Sequence, residues 1–169
     1  MATLIRNRAI APDSWQRPEP GSQDINGEIP ATGDVLVTLA TWQAARTSLA
    51  LRAGRTGVIL EPHEDPDVLA ADMGSLPLIA VNFPKFSDGR GYSTGRLLRE
   101  RYGFAGELRA IGDVLRDQIS LMQRCGFDSF LLREDQDAEA ALAAFRDFSE
   151  AYQASVEQPV PLFRRRAPA

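Results

Sequence analysis

TGVILEPHEDPDVLAADMGSLPLIAV, residues 56–81, decides the fold. Thr56-Gly57-Val58-Ile59-Leu60 is a β-branched, apolar run that predicts a strand, and Pro62 to Asp65 predicts a turn. Pro66 to Met73 then predicts a short helix with Asp65 as its cap and Pro66 at the first position, where a missing N–H costs nothing. Leu78-Ile79-Ala80-Val81 is the next strand. One strand, one helix and one strand within so few residues is a βαβ unit, which pairs its strands in parallel.

The same rhythm extends to both sides. Upstream, Val35-Leu36-Val37-Thr38-Leu39 predicts a strand and Thr41 to Ala53 a helix ended by Gly54. Downstream come a helix from Tyr92 to Tyr102, a strand at Leu108-Arg109-Ala110-Ile111 and a helix from Val114 to Cys125. Phe130-Leu131-Leu132 and a helix from Ala138 to Tyr152 close the series. The expected fold class is therefore α/β, with about five repeated βα units forming a mainly parallel sheet. Periodicity leaves two forms open: a doubly wound sheet or a partial TIM-like (βα) barrel. The strands are almost wholly apolar, the pattern of a sheet covered by helices on both faces. Arg109 breaks it, and reads as the mark of a strand near the sheet edge, or else as a side chain turned into a polar site.

Residues 1–33 form an irregular lead containing Pro12, Pro18, Pro20 and Pro30 among Gly21, Ser22, Asn26 and Gly27. Within it Leu4-Ile5 and Ala9-Ile10 are expected to pair as a small hairpin, and Trp15 to pack back on the body. Residues 34–153 are the βα-repeat domain, and 154–169 a flexible basic tail that includes Arg164-Arg165-Arg166.

Composition bounds the chemistry. The 169 residues suit one domain of ordinary size, and a net charge of −4 argues against a general nucleic-acid binder. The longest apolar run is too short for a membrane span, and Met1 to Ile10 shows no signal-peptide pattern, so a cytoplasmic protein is expected. A single cysteine, Cys125, excludes an internal disulfide and reads as a small buried hydrophobe. His63 is the only histidine, so zinc chemistry and a Ser-His-Asp triad have little to stand on.

In α/β proteins of either form, ligands bind where strands end and the following loops begin. Among those loops, residues 82–93 (NFPKFSDGRGYS) carry the most chemistry. Arg90 stands between Gly89 and Gly91, which permit positive φ and close backbone approach, and its planar fork suits a carboxylate or an oxyanion. With the N-terminus of the next helix, Lys85, Arg90, Ser93 and Thr94 compose a candidate anion site. The competing reading is that Asp88 and Arg90 bridge each other and only shape the turn. Asp113 is expected to cap the helix after it, and Arg116 in that first turn opposes the helix dipole, which calls for an anionic partner. The candidate site is thus Lys85, Asp88, Arg90, Tyr92, Ser93, Asp113 and Arg116, with the two aspartates as orienting groups and Tyr92 as lining.

Gly89-x-Gly91-x-x-x-Gly95 departs from the G-x-G-x-x-G dinucleotide fingerprint by one residue, so no cofactor is evident, and a nicotinamide or flavin stands only as the alternative. No metal site is expected.

Together with the 82–93 run, Leu97-Leu98-Arg99-Glu100-Arg101-Tyr102-Gly103, Gly106 to Ala110, Gly112 to Gln118 and Arg124 to Asp128 resemble a bacterial domain-of-unknown-function family. Its members are commonly encoded beside sulfite reductase in cysteine-biosynthesis operons and described as oxidoreductases of sulfite reduction. The resemblance covers residues 34 to 153 and implies a role in assimilatory sulfate reduction, without catalytic residues to transfer. With no redox cysteine pair, electrons would have to come from a bound cofactor or a partner enzyme. The resulting expectation is an accessory protein of sulfite reduction that binds an oxyanion or an acidic partner at the Lys85–Ser93 loop. Its alternatives are a non-catalytic adaptor docking on sulfite reductase and a small enzyme acting on an anionic metabolite, the latter as a homodimer that completes a barrel.

Overall fold

The computed structural model describes residues 2–17, 29–148 and 150–165. Pro18 to Gly27 of the lead and Arg166 onward of the tail lie outside them.

Seven strands form one sheet: β1 (Leu4–Arg6), β2 (Ala9–Ala11), β3 (Val35–Thr38), β4 (Thr56–Leu60), β5 (Leu78–Phe83), β6 (Glu107–Gly112) and β7 (Ser129–Leu131). Their order is β2-β1-β7-β6-β5-β4-β3. β3 to β7 are parallel, and the β1–β2 hairpin adds antiparallel to β7. The expected hairpin thus forms, and it extends the sheet.

Between the strands lie α1 (Leu39–Ala50), a 3-10 helix (Pro66–Asp72), α2 (Arg90–Glu100) and a 3-10 turn (Arg116–Gln118) running into α3 (Ile119–Arg124). α4 (Ala138–Ala144) and α5 (Leu162–Arg165) follow β7. Local sequence explains the starts: the side chains of Thr38, Asp65 and Asp137 each accept from a first-turn N–H. Two expectations are corrected. The helix after β6 begins at Arg116, because Asp113 is drawn into other bonds, and Gln118 Oε1 accepts from Leu115 N instead. The last long helix stops at Ala144, and Asp147 beyond it pairs with Arg116.

Strands laid down in sequential order, with right-handed crossovers, place successive helices on one side. The packing agrees. Val58, Leu60, Ile79, Val81, Phe83, Leu108, Ala110 and Phe130 form one face, clustered with Leu69, Leu98, Ile119, Met122 and Ala141. Val35 and Val37 meet Leu49 of α1 in a smaller cluster. The opposite face, Leu36, Ile59, Leu78, Ala80, Ile111 and Leu131, packs with Trp15, Ala2 and Ala11, and none of the described helices enters that cluster. The second face is apolar because the N-terminal segment lies on it, not because helices cover both sides. Trp15 is buried there as expected.

Arg109 is not at an edge. β6 sits between β5 and β7, and Arg109 is 1% exposed on the helix-free face. Its Nε and Nη2 donate to Glu107 at 2.9 and 2.8 Å, and Nη1 donates to Asp13 at 2.9 Å. Such charged hydrogen bonds offset the cost of taking a guanidinium out of water.

After α4, Val156 N donates to Arg124 O, Arg165 pairs with Glu150, and Tyr152 stacks on Phe163. Among the described residues no helix is long and apolar enough to cross a membrane.

Candidate functional site

The strand-end residues occupy matching positions along one edge of the sheet. The register pairs Leu60 with Val81 and Ala110 with Phe130, so Glu61 stands beside Asn82 and Asp113 beside Arg133. Asn82 Nδ2 donates to Glu61 Oε2 at 2.8 Å, and Arg133 Nη1 donates to Asp113 Oδ1 at 2.6 Å. β6 and β5 come so close here that a Cβ on Gly112 would lie 2.4 Å from Phe83 O, and Gly112 also takes φ +94°. Only glycine fits both conditions.

This close approach seats the long loop. Asp113 N donates to Phe83 O at 2.7 Å, and Asp113 Oδ2 accepts from Phe86 N at 2.8 Å. At the carbonyl of the same residue, Gln118 Nε2 donates to Phe86 O at 2.9 Å. Phe86 is thus held at both backbone polar groups while its side chain stays out, with the residue 61% exposed. Lys85 beside it is exposed and has no ion-pair partner among the described residues.

Asp88 and Arg90 bridge each other. Asp88 accepts from Arg90 Nε at 3.0 Å and Nη2 at 2.7 Å, and from Arg90 N at 3.2 Å. The guanidinium holds the Asp88 carboxyl at about 2, well below its usual range. The bridge closes the turn before α2, and the Arg90 fork is occupied. The reading in which this pair shapes the loop therefore describes its geometry.

Gly89 and Gly91 do not serve through positive φ. Gly89 caps α2 at φ −82°, and Gly91 lies within the helix. The reason for glycine is packing: a Cβ on Gly91 would lie 2.6 Å from the Phe83 ring, and one on Gly95 2.4 Å from Phe127. Four residues apart, both face the sheet and let α2 approach the rings. Tyr92, half-buried, packs edge-on against Phe83 at 5.3 Å, and burial raises its hydroxyl pKa. Ser93 is exposed on α2.

Arg116 finds its anion inside the chain. Its Nη2 donates to both oxygens of Asp147 at 3.1 Å, and Nε donates to Ala140 O. Asp113 orients Arg133, which also grips Asp135 at 2.6 and 2.7 Å and lowers that carboxyl to about 2. The candidate residues consequently divide. Lys85, Asp88, Arg90 and Asp113 meet around one loop, and Tyr92 and Ser93 continue it on α2, whereas Arg116 turns towards α4.

Sequence reasoning passed over Phe86, Gln118, Asn82 and Arg133. Arg133 carried a usable signal, since it follows its strand at the position Asp113 holds after the neighbouring one. Gln118 carried none for its contact with Phe86, because that bond reaches backbone thirty-two positions away. Cys125 is half-buried, and burial raises its thiol pKa, the environment of an unreactive thiol. Among the described residues no three His, Cys, Asp or Glu side chains are grouped to hold a metal.

Residues 57–163 match the family described as "Bacterial protein of unknown function (DUF934)". No curated protein matches the chain. The family match takes in the loop, its supports and everything from β4 into α5, more than half of the 169 residues, and the chain belongs to the DUF934 family.

Proposed function

We propose that this chain is a cytoplasmic accessory protein of sulfite reduction in cysteine biosynthesis, and that it docks on an acidic surface of sulfite reductase through the Lys85–Ser93 loop. The observation that carries the docking surface is Phe86, pinned at N–H and C=O by Asp113 and Gln118 with its ring exposed beside Lys85, which has no ion-pair partner among the described residues. A rigid backbone presenting an exposed aromatic beside a cation matches the anchors that dominate protein interfaces. The assignment to sulfite reduction rests on the resemblance of residues 82–128.

A protein surface suits this loop better than a free oxyanion. Small oxyanions are held by donors of several groups that converge on one point. Here Arg90 is taken by Asp88 and Arg116 by Asp147. The finer architecture we favour is a partial (βα) barrel, supported by the sequential strand order and the one-sided helices.

Co-purification of the full chain with sulfite reductase tests the reading. Phe86→Ala and Lys85→Glu should each weaken the complex by at least about tenfold, the effect of losing an interface anchor. Absence of a complex, or growth on sulfate unaffected in cells carrying Phe86→Ala, would remove the loop from this account.

A further inference from the structure

At the other end of the parallel strands, far from the Phe86 loop, lies an open cavity of about 360 Å3. The β1–β2 turn, the start of β7, the end of α4 and residues 156–157 surround it. Its wall is aromatic: Phe127 and Phe130 are almost wholly buried, and Phe145 meets Phe130 edge-on at 5.6 Å.

Two donors stand at the rim and share one acceptor. Arg8 Nη2 donates to Glu157 Oε1 at 2.5 Å, and Gln123 Nε2 donates to the same oxygen at 2.9 Å. The Arg8 guanidinium also lies 5.9 Å from the centre of the Phe145 ring. Together they make a seat for a carboxylate beside an aromatic surface, and the chain's own Glu157 sits in it. The other carboxylate lining the cavity, Asp128, is engaged elsewhere, by Arg99 Nη2 at 2.7 Å and Leu108 N at 2.9 Å.

The hairpin turn fixes where Arg8 stands. Asn7 and Arg8 are the two central residues of the β1–β2 hairpin turn, and their φ of +52° and +64° are those such a turn requires. The Arg8–Glu157 pair is loosely held, with side chains 55% and 49% exposed, so exchanging it for another carboxylate loses little. Val156 N donates to Arg124 O at 3.1 Å, which keeps the segment in place when the Glu157 side chain swings out.

We propose that this cavity binds a small carboxylate with an aromatic or branched apolar body. The carboxylate replaces that of Glu157 on Arg8 and Gln123, and the body lies against Phe127, Phe130 and Phe145. The volume is near the lower end of ligand pockets, roughly 300–1,000 Å3, which suits a compact metabolite. The proposal is independent of the docking loop.

Titration of the full chain with phenylacetate and with 2-phenylethanol, followed by amide and side-chain NMR shifts, tests it. Phenylacetate should saturate with shifts at Gln123 and Phe145 and bind about two- to fivefold tighter than the neutral alcohol, as an exposed charge-assisted pair predicts. Glu157→Gln should tighten phenylacetate about two- to fivefold, the factor an exposed ion pair represents. Arg8→Gly, which suits the local φ and so keeps the hairpin, should abolish the preference for phenylacetate. Failure of both wild type and Glu157→Gln to saturate overturns the proposal, as does an Arg8→Gly protein that keeps the preference.

Discussion

Arg109, buried in the middle strand of the seven-stranded sheet, is bound to Asp13 at 2.9 Å, a contact that ties the N-terminal segment to β6 across ninety-six positions. Glu107 accepts from Nε and Nη2. Arg6 approaches Glu107 at 3.6 Å from β1, so the charge cluster joins β1, the segment after β2 and β6. Asp13→Ala should lower stability by about 1–3 kcal/mol, the range for removing one partner of a charged hydrogen bond. Arg109→Met should make the further loss of Asp13 nearly neutral, since the pair then no longer exists. A double-mutant cycle on urea midpoints measures the coupling.

The glycines of α2 give a contrast. Gly95→Ala places a methyl 2.4 Å from Phe127 Cε2 in the buried cluster, and overpacking of this kind costs about 1–3 kcal/mol. At Gly89 the nearest atom is 3.9 Å away and φ is −82°, so Gly89→Ala should change stability by less than about 1 kcal/mol. Equal losses at both positions in guanidinium unfolding would refute the packing explanation.

Asp88 should titrate with its midpoint near 2. Its folded value lies below the ordinary 3.8, so any stabilisation from the Arg90 bridge is present above pH 3.8 and is lost as pH falls through about 2. In Arg90→Ala the carboxyl carbon resonance of Asp88 should titrate close to 3.8, which is readable by NMR.

Asp113 is the support of the docking loop. Asp113→Ala removes the acceptor of Phe86 N and one anchor of Arg133. Hydrogen exchange at the Phe86 amide should accelerate by at least about tenfold, because its N–H loses a fixed partner. Unchanged exchange would show that Gln118 alone holds the loop.

Burial raises the Cys125 thiol, whose ordinary value is 9.0. Its reaction with a disulfide reagent at pH 8 should be slow in the folded protein and fast in urea, since only the thiolate attacks. A fast native reaction would contradict the buried position.

Much of this molecule was legible in local pattern. Val58-Ile59-Leu60 and Leu78-Ile79-Ala80-Val81 declare strands, Asp65-Pro66 declares a helix start, and Leu4-Ile5 with Ala9-Ile10 declares a hairpin, because each depends on neighbours in the chain. The side of the sheet that the helices take, and the segment that buries its other face, are settled only by packing.

The sequence by itself determined which charges the strand-end loops carry: Lys85, Asp88, Arg90, Asp113 and Arg116 stand there by composition and spacing. Only the tertiary structure decided which of them are already neutralised. Asp88 and Arg90 are two positions apart, and a turn brings them together. Arg116 meets Asp147 across thirty-one positions, and Phe86 meets Asp113 across twenty-seven. Ion pairs and backbone supports of that span depend on distance in space, which periodicity does not encode. The same reason separates Arg109, a misfit in a strand pattern, from Arg109, the charge held by Glu107 and Asp13 at the centre of the sheet.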